Sequence, residues 1–305
     1  MMIPGASCGH PELSNLLQAR SICKAFGDVR VLQAVNLELR GGEVHALVGE
    51  NGAGKSTFMN ILAGVLQPDA GEIVFLGQST RGFADARAAQ QRGIAMVFQE
   101  RSLFAPLTVA ENIFAGRQPV RGLGQIDRRR LRDGAAALLA QVAPEVSPTA
   151  RVEQLSPAQQ QMVEVAKALS LQARVIIFDE PTAALTETET GKLFRVIRGL
   201  RSRGVGIIYI SHRLDEVFGL ADRVTVLKDG VGQGTWSVGD ITPGELVRRM
   251  VGRDVMPVST GQPGSEGAVL LDVRDLSDSK GGRGASALLC HIHLQARAGE
   301  IVGLA

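Results

Sequence analysis

The stretch Gly49-Glu50-Asn51-Gly52-Ala53-Gly54-Lys55-Ser56-Thr57 decides how the rest of the chain is read, because it fits G-x-x-x-x-G-K-[ST] at every defined position. Gly49, Gly52 and Gly54 permit backbone angles closed to other residues, so successive N–H groups can turn inward around a phosphate chain. Lys55 adds a point charge at the outer phosphates and is expected to face solvent in the empty loop. The Ser56 hydroxyl suits Mg²⁺ coordination, and Glu50, Asn51, Ala53 and Thr57 complete the expected nucleotide-binding set. Context supports the string. Residues 43–48 form a short apolar run suited to a buried strand, and residues 57–63 read as a helix stopped by Gly64. The helix N-terminus therefore points its dipole at the phosphates. A glycine-rich turn matching by chance would need neither flank.

Outward from the loop, the next chemistry is acidic. Residues 175–178 are a continuous apolar strand ending in Asp179-Glu180-Pro181, and Pro181 halts the ladder where the carboxylates emerge. Asp179 is placed to orient the water shell of Mg²⁺ opposite Ser56, and Glu180 is the candidate base for an attacking water. Residues 206–210 form a further strand ending at Ser211-His212. Upstream, residues 16–22 begin a strand, and Val35, Leu37 and Leu39 alternate with Asn36, Glu38 and Arg40 as in a half-buried one. Phe26, just before Gly27, is expected on a loop near the base end of a nucleotide, where it could stack on adenine. Residues 84–92 read as a helix and 94–98 as a buried run followed by Gln99. From residue 100 to 171 the character turns helical: Thr108 caps 109–115, and 128–142 is rich in Ala, Leu and Arg. This block reads as an inserted helical subdomain, with Arg128-Arg129-Arg130 as a solvated helix start rather than a lipid or nucleic-acid patch. Thr242 can cap a helix beginning at Pro243.

The chain of 305 residues, 45% of them hydrophobic, has length for two domains or for one and part of another. With 33 basic and 31 acidic residues the net charge is +2, which gives no sign of a nucleic-acid partner. Cys8, Cys23 and Cys290 are scattered and read as reduced thiols, and Cys8 with His10 makes no zinc site. No secretory leader pattern and no run of about 18 apolar residues occurs, so a soluble chain is expected, with any membrane role exerted through a partner. We expect a flexible tail over 1–15, a main domain over 16–251, and a linker over 252–268 carrying Pro257, Gly261, Pro263 and Gly264. Residues 269–305 repeat the start of the chain. Residues 270–276 resemble 16–22, and 299–305 resemble 42–48, so the position after Ala305 would align with Gly49.

The order of Gln99, Leu155-Ser156-Pro157-Ala158-Gln159-Gln160, Asp179-Glu180-Pro181-Thr182 and Ser211-His212 resembles the ATP-binding cassette (ABC) ATPases over residues 16–251. That resemblance implies an α/β P-loop NTPase fold with a mixed sheet core, an antiparallel β subdomain and an inserted helical subdomain. It implies ATP and Mg²⁺ as ligands, with Gln99 touching Mg²⁺ and sensing the membrane partner. His212 would hold the γ-phosphate, Phe26 would stack on adenine, and Ser156 and Gln159 would face a nucleotide. Residues 159–169 and 181–186 are similar in wording to bacterial monosaccharide importers of the ribose, galactose and xylose kind, which carry two cassettes in one chain. The implied partners are membrane permease subunits, a sugar-binding protein indirectly, and a second cassette or another copy. The implied place is the cytoplasmic face of the inner membrane. Two features depart from the common pattern. Pro157 and Ala158 replace both glycines of L-S-G-G-Q, which should weaken the γ-phosphate clamp, and Thr186 stands where most cassettes have Asp. Two other functions compete: a tandem cassette acting on ribosomes, which usually has a long charged linker, and a nucleotide-binding regulator without productive hydrolysis.

Overall fold

The alternation around Val35, Leu37 and Leu39 is realised as a strand with those side chains buried and Asn36, Glu38 and Arg40 exposed. The structure, a computed structural model, describes residues 15–98, 102–183, 185–252, 267–277 and 290–303. It divides into two units, Met1–Asp254 and Val255–Ala305. The first unit runs β1 (Asn15–Phe26), β2 (Val29–Arg40), β3 (Val44–Val48), α1 (Lys55–Leu62), β4 (Ala70–Phe75), β5 (Gln78–Thr80), α2 (Ala86–Arg92), β6 (Ile94–Val97), α3 (Val109–Ile113), α4 (Arg128–Val142), α5 (Pro157–Leu169), β7 (Val175–Asp179), α6 (Glu187–Ser202), β8 (Gly206–Ile210), α7 (Leu214–Leu220), β9 (Arg223–Lys228), β10 (Val231–Ser237) and α8 (Pro243–Val251).

Two sheets organise it. An antiparallel sheet has the order β2-β1-β4-β5, and a mixed sheet has the order β10-β9-β3-β8-β7-β6, parallel except for β10 against β9. Strands buried on both faces need continuous apolar runs, which is what β7 and β8 supply. Ile176, Phe178, Ile207 and Tyr209 pack toward the helices α3 to α6, while Val175, Ile177, Ile208 and Ile210 join α1 and the antiparallel sheet. Each such side chain contributes roughly 1.5–3 kcal/mol by its burial. Because β3, β8 and β7 are parallel neighbours, the chain segments after Val48, Ile210 and Asp179 all leave the sheet at the same edge.

The α/β fold, the antiparallel sheet and the helical block between β6 and β7 agree with the expectation. Several boundaries differ. Phe26 is not on a loop but is the last residue of β1, paired with Val29 across Gly27 and Asp28. The helix after the phosphate loop begins at Lys55 rather than 57, because Gly54, with φ 99°, is its N-cap. The tail over 1–14 with Cys8 and His10, residue Gln99, and 253–266 of the linker lie outside the described residues.

The second unit is a hairpin of β11 (Val269–Leu276) and β12 (Ile292–Arg297). Its register reproduces that of β1 and β2: Leu271↔Ala296, Val273↔Leu294 and Leu276↔Ile292 match Leu17↔Leu39, Ala19↔Leu37 and Ile22↔Val35. Even the residues with positive φ recur, Asp275 (52°) and His291 (52°) standing where the first hairpin has Ser21 (49°) and Ala34 (49°). Residues 299–303, expected to continue as a strand, have no strand structure.

Candidate functional site

The loop between β3 and α1 requires glycine for two separate reasons. A side chain at Gly49 would put its first carbon 2.1 Å from the Leu227 carbonyl oxygen, and Gly54 combines a left-handed φ of 99° with the Val31 carbonyl 2.9 Å away. Glycine alone meets both demands, the first by its lack of a Cβ and the second also by its backbone freedom. The result is a cleft of about 490 Å³ lined by Asn51, Gly52, Gly54, Lys55, Ser56 and Thr57, together with Val31, Asp179 and Glu180. Glu50, Asn51, Gly52 and Ser56 are exposed, whereas Ala53 is buried.

Lys55 departs from expectation. It is 7% exposed, and its ammonium donates to the carbonyl oxygens of Gly49 at 2.8 Å and Glu50 at 3.0 Å. A first-turn side chain on α1 folds back over the loop, where the loop's own carbonyls satisfy it. Burial lowers its pKa, and the carboxylates of Glu180 and Asp179 oppose that shift. Asp179 ends β7 and is buried. Burial first, and then the adjacent charge of Glu180, push its carboxyl above the usual range, while Lys55 pulls the other way. The donor set fits a hard cation, since Ser56 and Asp179 offer oxygen ligands in the lining of one cleft and Mg²⁺ takes only one or two protein ligands beside phosphate and water.

Glu180 occupies a left-handed backbone conformation, φ 45°, which costs free energy in a residue with a Cβ. Its N–H donates to Ile210 O at 3.0 Å, holding the bend against the end of β8. There Oε1 of Glu180 lies 3.4 Å from His212 Nδ1, with the imidazole 61% exposed and the carboxylate 18%. A carboxylate and an imidazole at the mouth of a phosphate-sized cleft can orient a water and take its proton.

Three sequence-expected residues lie elsewhere. Phe26 is exposed and has the Lys24 ammonium 5.6 Å over its ring; the apolar residue in the cleft lining is Val31, which alternation alone would not single out. Ser156 caps α5 by accepting from Gln159 N at 3.2 Å, and the Gln159 side chain accepts from Ser156 N at 3.0 Å. Neither lines the cleft. Pro157 is exposed whereas Ala158 is buried, so the surface of this helix start is changed chiefly by the N–H that proline lacks. Among the described residues no helix is long and apolar enough to cross a membrane.

A family model described as ABC transporter matches residues 32–183. The ribose import ATP-binding protein RbsA 2 of Streptomyces avermitilis is 47% identical over 292 residues, covering 95% of this chain and 56% of that protein. The ribose import ATP-binding protein RbsA 1 of Rubrobacter xylanophilus is 48% identical over 290 residues, with 95% and 56% covered. The chain thus spans about half the length of these relatives. Among solved structures, the ADP conformation of MJ1267, an ATP-binding cassette of an ABC transporter, superposes with a TM-score of 0.69 at 24% identity, over 79% of this chain and 100% of that one. A dimeric post-hydrolysis state of the cassette MJ0796 bound to ADP and Pi gives 0.64 at 26% identity, over 73% and 98%.

Proposed function

We propose that this chain, which belongs to the ABC transporter family of ATP-binding cassettes, binds and hydrolyses ATP to drive import of a monosaccharide through separate membrane permease subunits. The observation that carries the proposal is the meeting of the glycine loop, Lys55, Asp179 and Glu180 on one cleft, with His212 beside Glu180. The phosphates would lie over the loop N–H groups and the N-terminus of α1, and Lys55 would exchange the carbonyls of Gly49 and Glu50 for phosphate oxygens. Ser56 and Asp179 would hold Mg²⁺, which when bound neutralises phosphate charge. Glu180 would take the proton of the attacking water, with His212 holding the outer phosphate, and Phe26 would stack on the base. Gln99 would face the metal and the permease. The names of the relatives support ribose or a similar monosaccharide as cargo; a site of action at the cytoplasmic face of the inner membrane and a sugar-binding protein acting through the permease belong to the same proposal.

The finer reading is that residues 269–303 are the opening hairpin of a second cassette. Its support is the pairwise register match and a shared polar contact: Glu300 accepts from Arg297 N at 2.8 Å, as Glu43 accepts from Arg40 N at 2.8 Å. Ser156 and Gln159 would then complete a nucleotide site in a second cassette or another copy. The test is copurification with the permease, followed by ATP turnover in that assembly with Glu180→Gln beside the parent. Gln keeps the size of Glu but cannot act as a carboxylate base, so the variant should bind MgATP and not turn it over. Association with ribosomes, or turnover of the variant at the parent rate, would refute this reading.

A further inference from the structure

Outside the cleft lies a buried charge that the mechanism above leaves unused. Glu216, on the first turn of α7, is 2% exposed. One oxygen of its carboxylate, Oε2, accepts from Thr182 Oγ1 at 2.9 Å, Tyr209 OH at 2.8 Å and Ser211 Oγ at 2.8 Å. The other, Oε1, makes no hydrogen bond and faces the Arg213 guanidinium at 3.4 Å. Three hydroxyls donate to one oxygen, and a buried carboxylate persists only where donors and an opposite charge surround it, as they do here. Burial and the carboxylate together push the Tyr209 phenol upward, which keeps it a donor.

The three donors come from segments that matter. Thr182 lies two residues beyond Glu180, Ser211 immediately precedes His212, and Tyr209 anchors β8 in the core. The strained bend at Glu180 is thereby fastened twice: to the end of β8 through Glu180 N to Ile210 O, and to α7 through Thr182 to Glu216. Ser211 Oγ also accepts from Arg213 N at 3.0 Å, so the turn carrying His212 is tied to the same carboxylate. We propose that Glu216 is a positioning residue of the hydrolytic site, whose buried carboxylate sets the separation of Glu180 and His212. This rests on the ATP-hydrolysis reading, but the geometry it invokes does not depend on nucleotide.

The experiment uses the full chain with Glu216→Gln, Ser211→Ala and Thr182→Val, the last two guarding against a Glu216 variant that fails to fold. The first readout is the His212 ring resonance by NMR, assigned by its absence in His212→Asn. The expected result is a shifted resonance in all three variants, with the two hydroxyl variants lower in melting temperature than the parent but folded at the temperature of measurement. The second readout is single-turnover ATP hydrolysis, where a misplacement of about 1 Å is worth on the order of 10²-fold. Glu216→Gln should lower the rate by about ten- to hundredfold with ATP affinity changed less than about threefold, and Glu216→Asp should recover part of the loss. Ser211→Ala on top of Glu216→Gln should add little, because both act through one contact. A parent chain that does not bind ATP fails the hydrolysis reading and leaves the resonance to decide. Unmoved His212 resonances in folded variants, or rate and affinity falling together in proportion to lost folded protein, would overturn the proposal.

Discussion

Lys55 donates to the carbonyls of its own loop, and beside it Asp179 and Glu180 bring two like charges into one cleft. Asp179 carries that strain most directly, because burial and Glu180 raise its pKa. A raised folded value means that the native state binds the proton more tightly than the unfolded state, so the contribution to stability is full below the unfolded value of about 3.9 and is lost as pH rises from there through the raised folded value. Once ionised, Asp179 costs stability in the nucleotide-free chain. Asp179→Asn should raise the melting temperature without nucleotide while removing the Mg²⁺ dependence of ATP binding. A lowered melting temperature would show that the carboxylate is instead a structural anchor. The residue types of this site were legible from the motif alone, because glycine, lysine and the paired acids have few other reasons to recur at that spacing. The buried pose of Lys55 and the left-handed Glu180 were not. Both depend on what the neighbouring backbone offers, and no local pattern encodes a positive φ in a glutamate.

Helix starts were the most legible elements, since an N-cap and its N–H donors lie within four residues of one another. Thr108 and Thr242 cap α3 and α8 as the sequence indicated, and the structure shows Ser156 and Thr186 capping α5 and α6 in the same way. At α5 the reciprocal pair of Ser156 and Gln159 sets the exposed helix start, and Ser156→Ala should cost about 1 kcal/mol. Urea unfolding would measure it, and an unchanged midpoint would mean that the cap contributes nothing. α4 offers a pH-dependent counterpart. Asp127 accepts from Arg121 and from Arg130 N, and these contacts hold its carboxyl down at about 2. A lowered folded value contributes stability that is present above the unfolded value of about 3.9 and is lost as pH falls toward 2. Unfolding followed between those limits should show a shallower slope in Asp127→Asn than in the parent, and equal slopes would contradict the assignment. The length of β1 was under-read because its pairing with β2 shifts register between Ile22 and Ala25, which breaks the alternation that marks a strand. Where the chain leaves a two-residue period, sequence shows a loop and structure keeps a strand.

At the scale of the whole chain, the proposed function takes the cleft as sufficient for binding and a second cassette or another copy as needed for turnover. The repeat was legible because both hairpins keep the same apolar spacing, and the structure adds pairing and backbone angles that sequence could not give. The conformation of residues 299–303 was not legible, since a buried strand exists only where neighbours pair with it. Ser156 and Gln159 do not line the cleft; under the proposed function another cassette would bring such donors to a nucleotide bound here, and one such donor can be worth roughly 10²–10³ in rate. Phosphate release by the chain alone should therefore be slow and should rise with its concentration. Fast release independent of concentration would mean that one chain already holds a whole site. What every part of the account rests on is the cleft itself, and calorimetric titration of MgATP into the 305-residue chain and its Lys55→Ala variant tests it most directly. The account predicts saturable binding of one nucleotide per chain, weakened about ten- to hundredfold in the variant by loss of a charge-assisted contact of about 1.5–3 kcal/mol. Absent binding, or equal affinity in parent and variant, would contradict it.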